Sequence, residues 1–75
     1  MKRAGTAVGT AQGLVVVRTT DETYPDIGTS LVDESLDTVG RVVDVFGPVD
    51  RPYIAVTPTI ENPALLVSKP IYARE

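Results

Sequence analysis

The sequence predicts an all-β fold, a small six-stranded β-barrel, on three observations. The chain has 75 residues, which is enough for one domain. Short runs rich in β-branched residues alternate with clusters of glycine, proline and aspartate, as strands alternate with turns. No segment carries apolar residues at sustained helical spacing. Many short strands between turn signals are typical of a closed or nearly closed barrel, so we treat residues 1–75 as one domain.

The first half of the chain contains three predicted strands. Residues 5–8 form a short first strand, and residues 14–19 (LVVVRT) form the clearest one, because they are mostly β-branched and follow Gly13. Residues 21–28 form a connection rich in turn formers, and residues 29–32 form a brief third strand.

Residues 38–46 (TVGRVVDVF) predict a long fourth strand. One face would carry Val39, Val43 and Val45, interrupted by Arg41, and the other would carry Gly40, Val42, Asp44 and Phe46. A strand that is apolar on both faces indicates a barrel core inside and something apolar outside. Gly40 in its interior is expected to mark a bulge or a tight bend.

Two further strands complete the predicted barrel. Residues 52–57 form the fifth and stop at Pro58, which cannot donate to a ladder. Residues 61–66 suggest one helical turn, with Asn62 as its cap and Pro63 at its first position. The last strand is centred on Ile71 and Tyr72.

The composition excludes several classes of enzyme. The chain contains no cysteine and no histidine, so it has neither a disulfide framework nor a Ser-His-Asp or Cys-His arrangement. The carboxylate pairs Asp21-Glu22 and Asp33-Glu34 lie beside turn residues, which favours solvated loops over an acid–base pair. We therefore expect a protein that is not an enzyme and that holds no metal or cofactor.

Charge argues against direct nucleic-acid binding, and the absence of a long apolar run argues against a membrane-spanning helix. The net charge is −3, and the five arginines are scattered along the chain, whereas proteins that bind phosphate cluster their cations. No apolar run approaches the roughly 20 residues that a membrane helix needs. The absence of cysteine predicts a cytoplasmic protein, and the acidity with few lysines suits a halophile.

The stretch VFGPVDRPYIAV, residues 45–56, is the best candidate for a partner-binding site. Pro48 and Pro52 restrict the residues before them to extended conformations, so the connection loses little entropy on ordering. The candidate partner-binding residues are Phe46, Gly47, Pro48, Val49, Pro52 and Tyr53, with Val45 and Ile54 filling the core. In the alternative interpretation, Phe46 and Tyr53 only cap the barrel as core residues.

The sequence VGRVVDVFGPVDRPYIAV, residues 39–56, resembles the signature of the Gar1 family, the small core protein of H/ACA ribonucleoproteins. The Phe-Gly-Pro and Pro-Tyr elements at this spacing are more specific than a generic hairpin. The similarity extends to Gly13-Leu14, to Asp33 and Leu36, to Asn62-Pro63 and to Ile71-Tyr72. It therefore covers most of the chain, although the Gly-Arg-rich tails of eukaryotic relatives are absent from this sequence, as expected for an archaeal member.

The resemblance implies a six-stranded barrel of the reductase/translation-protein type that docks directly on a dyskerin-type pseudouridine synthase. In that family the barrel contacts the catalytic subunit, and reaches the guide RNA and the other core proteins only indirectly. It helps substrate RNA load and leave while ribosomal RNA is pseudouridylated. Little direct contact with nucleic acid and none with a membrane are expected.

A PRC-type barrel is the alternative family. It shares the Val-Gly-x-Val-x-Asp-Val pattern of residues 39–45, and it would be a scaffold module in ribosome maturation or complex assembly. The Gly47-Pro48 and Pro52-Tyr53 pairs favour the Gar1 family, because the PRC pattern does not require them.

Overall fold

In a computed structural model, which describes residues 2–20 and 24–74, the chain forms a closed, all-β barrel. The strand order around the barrel is β1-β2-β5-β4-β3-β6. The strands are β1 (Lys2–Ala11), β2 (Leu14–Thr19), β3 (Ser30–Val32), β4 (Thr38–Phe46), β5 (Tyr53–Pro58) and β6 (Pro70–Ala73). The predicted six-stranded β-barrel is confirmed.

Every strand is hydrogen-bonded to two antiparallel neighbours. β6 closes the barrel, because it pairs with β1 through Arg3 and Tyr72 and with β3 through Leu31 and Ala73. Pairing at its two ends explains why β1 is longer than the predicted strand at residues 5–8. Lys2 and Arg3 pair with β6, residues 9–11 pair with β2, and this pairing outweighs their weak strand propensity.

The core fills the interior of the barrel with branched aliphatic side chains. The largest of the fully buried aliphatic residues are Leu31, Ile54 and Ile71, and buried valines come from four strands, β2 to β5. As predicted, Ile54 lies in the core, and Val45 is partly buried against it.

β4 changes face at a bulge that the sequence does not reveal. Val42 pairs with Val56 and Asp44 with Ala55, so Val43 has no opposite residue on β5. Val42 is consequently buried, whereas Val43 is exposed. The prediction that Val43 shares a face with Val39 and Val45 is wrong, because one extra residue reverses the inside–outside alternation.

Gly40 lies where two strands approach closely. A Cβ atom at this position would lie 2.5 Å from the carbonyl oxygen of Thr57 and 2.6 Å from Cγ1 of Val56. The register between β3 and β4 also shifts beside it, since Leu31 pairs with Gly40 but Val32 pairs with Thr38. The predicted irregularity at Gly40 is confirmed.

The predicted helical turn is a 3₁₀ helix, Pro63–Leu66, with proline at its start and Leu66 buried in the core. The prediction that the Asn62 side chain caps this helix is wrong. The Asn62 side chain makes no capping hydrogen bond, although its backbone carbonyl accepts from the amide of Leu65. Pro63 has no amide to donate, and the amide of Leu65 is already bonded to the Asn62 carbonyl.

Because neighbouring strands are antiparallel, the connections lie at two opposite ends of the barrel. One end, here called the bend end, carries the β4–β5 connection, the β2–β3 connection, the start of β1 and the end of β6. The other end carries the β1–β2 turn, the β3–β4 connection and the 3₁₀ helix.

Candidate functional site

The candidate site is built on the last pair of β4 and β5 at the bend end. Phe46 and Tyr53 are paired across the two strands, and their rings stack with centroids 5.7 Å apart and an angle of 20° between the planes. Their neighbours Val45 and Ile54 point inward, so the two rings lie on the outer surface. Phe46 is 45% exposed and Tyr53 is half-buried. The rings therefore cover the outside of the barrel and do not fill its core.

Residues 47–52, here called the proline bend, leave the barrel above this ring pair. Val49 is 92% exposed, the highest value among the large hydrophobic side chains that the structure describes as exposed. Pro48 is also exposed. A valine in water at the tip of a proline-restricted connection contributes nothing to the core of this chain, so it is free to contact a partner.

Gly47 takes a conformation that differs from the expected extended one. Its φ is +93°, a region that side chains other than hydrogen rarely enter. A Cβ atom here would lie 2.9 Å from Cδ2 of Tyr53, so the missing side chain is what lets the Tyr53 ring lie against the backbone. Glycine at position 47 thus permits both the turn and the close approach of the Tyr53 ring.

Pro52 differs from the other predicted site residues because it is buried. Its carbonyl oxygen accepts from the backbone amide of Thr19 at 3.2 Å and from the Thr19 hydroxyl at 2.6 Å. Thr19 is itself buried at the end of β2. Pro52 anchors the proline bend to the barrel, while Val49 and Phe46 remain outside.

Two exposed apolar residues on or beside β4, Val43 and Ile27, were not among the predicted site residues. Val43 faces outward because of the bulge in β4, and it is 41% exposed. Ile27 is more exposed still, and the hydrogen bonds of Gly28 and Thr29 with Val42 place its segment beside β4. No local signal predicts this neighbourhood, because it depends on the bulge and on a loop that returns to the sheet.

The carboxylate pairs do not form a second site in the part of the chain that the structure describes. Asp21 and Glu22 lie outside the described residues. Asp33 uses its Oδ1 to accept from the amides of Ser35 and Asp37, at 2.9 and 3.1 Å, and so it orders its own loop. Within residues 2–20 and 24–74, no group of three acidic side chains could hold a metal ion.

The family described as the Gar1/Naf1 RNA binding region matches residues 1–73. The chain belongs to the Gar1/Naf1 family. No curated protein matches the sequence. Membership in this family gives the chain a role in H/ACA ribonucleoproteins and hence in ribosome biogenesis, among proteins that are not catalytic. The match favours the Gar1 resemblance over the PRC-type alternative.

The family description also concerns direct binding of RNA. It names an RNA binding region, whereas the charge of the whole chain predicts little direct contact with RNA. The proline bend itself carries one acidic and one basic side chain, Asp50 and Arg51, both exposed. In the described part of the chain, no helix is long and apolar enough to cross a membrane.

Proposed function

We propose that the chain is a non-catalytic subunit that docks on the dyskerin-type pseudouridine synthase of an H/ACA ribonucleoprotein. It would assist pseudouridylation of ribosomal RNA in the cytoplasm by helping substrate RNA to load and leave. The proposed contact residues are Phe46, Gly47, Pro48, Val49 and Tyr53, and Pro52, which is buried, would contribute by anchoring the bend that carries them. Guide RNA and the other core proteins would be reached through the synthase.

The observation that carries this proposal is the exposed apolar tip on an anchored connection. Val49 is almost entirely in solvent, and the Phe46–Tyr53 stack below it presents aromatic surface. A connection that is already ordered loses little conformational entropy when a partner binds, so more of the contact energy appears as affinity. Aromatic residues of this kind are enriched among the side chains that dominate protein interfaces.

The chemistry of the proline bend suits a protein partner better than a nucleic acid. Its surface is apolar and aromatic, and its two charges, on Asp50 and Arg51, are of opposite sign. An apolar centre with few charges is typical of the core of a protein interface. Phosphate would require a concentration of cations that the bend does not have.

Titration calorimetry of the chain against the synthase tests the proposal. Tyr53→Ala is expected to weaken binding by roughly 2 kcal/mol, or about thirtyfold in Kd, because it removes the ring at the centre of the site. Circular dichroism checks that the variant remains folded. An unchanged Kd in a folded variant removes Tyr53 from the site.

A matched pair of valine variants tests the position of the interface without disturbing the core. Val49→Ser and Val67→Ser make the same chemical change at two exposed positions, one on the proline bend and one after the 3₁₀ helix. We expect Val49→Ser to lower the affinity and Val67→Ser to leave it unchanged. Equal effects of the two substitutions would place the interface elsewhere.

A further inference from the structure

An apolar row, here called the outer row, crosses the outside of the barrel beside the ring pair. It consists of Val8, Val16, Ala55 and Val43, with Asp44 at one end. We propose that the synthase covers the outer row as well as the proline bend. The inference rests on the proposed function, and it adds which face of the barrel meets the partner.

The outer row follows the hydrogen-bonding direction across four strands. Val16 pairs with Gly9 on one side and with Ala55 on the other, and Ala55 pairs with Asp44. The sequence neighbours of Val16 and of Ala55 belong to the core, so these two side chains point outward. The outward face of an antiparallel sheet is normally polar, so the core of this chain does not account for an apolar row there.

Two β-bulges each add an exposed valine to the outer row. Val8 has no opposite residue on β2, and Val43 has none on β5. Val8 is 49% exposed, and Val43 is exposed to a similar degree. Bulges redirect side chains, and these two place a valine toward either end of the row. With about 4.8 Å between neighbouring strands, the apolar surface extends about 14 Å from β1 to β4.

The outer row is continuous with the ring pair. Phe46 and Tyr53 lie two residues beyond Asp44 and Ala55 on the same two strands and on the same face. Two residues of a strand span about 7 Å, so the rings and the outer row are adjacent rows of one surface. A partner that contacts the rings therefore reaches the outer row directly.

The size of a stable interface favours the same extension. The ring pair and the proline bend together comprise the eight residues 46–53. Stable protein interfaces use about 20–30 residues and about 800 Å² on each partner. A synthase that binds the bend must therefore cover more of the barrel, and the adjacent outer row is apolar surface whose burial drives association.

Two charged side chains determine what the covering surface must provide. Asp44 lies beside Val43, and its Oδ1 accepts from the amide of Val45 at 2.8 Å. Arg41 is exposed one row further from the bend, opposite Thr57. Charges covered by an interface are costly unless they are paired. The matching surface of the synthase is therefore apolar at its centre, with a hydrogen-bond donor facing Asp44 and a carboxylate facing Arg41.

Thiol footprinting locates the covered face, because the chain contains no cysteine and each introduced thiol is unique. Val43→Cys lies in the outer row, Val49→Cys lies on the proline bend, and Leu36→Cys is the control beside Tyr72 of β6. With saturating synthase, alkylation by N-ethylmaleimide should slow at least tenfold at positions 43 and 49 and stay within twofold at position 36. Mass spectrometry reads the label on this chain separately from any thiol of the synthase.

The outcomes separate this inference from the proposed function. Protection at position 49 without protection at position 43 overturns the inference and leaves docking at the bend intact. Protection at neither position, together with no heat of binding in calorimetry, overturns both. Protection at position 43 that appears without synthase, as the concentration of the chain rises, assigns the outer row to a second copy and overturns the inference.

A pair of serine variants measures the contribution of the outer row to affinity. Val43→Ser should raise the Kd for the synthase about fivefold, since it replaces an apolar contact with a hydroxyl. Leu36→Ser removes an exposed apolar side chain on the other side of the barrel and should change the Kd less than twofold. Circular dichroism checks that both variants are folded. Equal Kd values for the two folded variants overturn the inference.

Discussion

The two connections that flank β4 hold apolar side chains in solvent by different chemistry. The proline bend follows β4 and presents Val49, whereas residues 33–37, here called the acidic loop, precede β4 and present Leu36. The proline bend is restricted by covalent rings and by a glycine at φ +93°. The acidic loop is restricted by hydrogen bonds that the Asp33 carboxylate accepts from the amides of Ser35 and Asp37, and its Leu36 adopts a φ of +67° without being glycine.

The two restrictions act at different stages of folding. Proline limits the chain before folding as well as after it, so it lowers the entropy that ordering must overcome. The hydrogen bonds of Asp33 exist only after the acidic loop has formed, and they must hold a leucine in a region that costs L-residues roughly 1–2 kcal/mol. The proline bend is therefore the better prepared of the two to meet a partner.

Gly47→Ala should have the largest effect on stability. The substituted side chain would face both an unfavourable φ and the Tyr53 ring 2.9 Å away, so we expect a loss of about 2–3 kcal/mol in the free energy of unfolding. Urea unfolding measures the loss. Gly13→Ala is the control, since Gly13 has φ +82° with nothing within 4 Å of the added Cβ, and should cost about 1 kcal/mol. Equal losses would mean that the ring contact has no energetic role.

Asp33→Ala should have an intermediate effect, confined to the acidic loop. Two exposed backbone amides lose their carboxylate acceptor, and we expect about 1–1.5 kcal/mol of destabilisation with faster hydrogen exchange at Ser35 and Asp37. Asp33→Asn retains an oxygen acceptor and should stay within about 0.5 kcal/mol of the original protein. Unchanged exchange rates in Asp33→Ala would show that the loop is held by other contacts.

Substitution of Leu36 should have the smallest effect. Asparagine tolerates the left-handed region, so in Leu36→Asn the relief of strain offsets the lost apolar contact, and stability should stay within about 0.5 kcal/mol. Leu36→Ala keeps the strain and loses the contact, so it should cost about 1 kcal/mol. Thermal unfolding compares the pair, and identical midpoints for Asn and Ala would argue that no strain is stored at this position.

Sequence patterns predict this barrel well wherever the signal is local. The predicted bounds of β2 and β4 match the structure, since β-branched runs between turn residues leave little ambiguity. Pro63 begins the 3₁₀ helix as expected. The start of β1 could not be predicted, because it is ordered by pairing with residues some 70 positions away, such as Ala73.

The sequence singles out the residues of the proline bend but does not indicate their geometry, and their role in binding a partner stays a prediction. The exposure of Val49 follows from its place between two prolines. The buried anchor at Pro52 depends on Thr19 in a distant strand, and the exposure of Val43 depends on a bulge without a local signature.

Closure of the barrel also limits how this protein can recruit others. Each described strand has a hydrogen-bonded neighbour on both sides, so none of them is an edge strand. Closure therefore disfavours a partner that adds a strand to the sheet, and it disfavours edge-to-edge polymerisation of the chain. A partner must therefore be recognised through side chains, either on the connections or on the outer face of the strands, as at Phe46 and Tyr53.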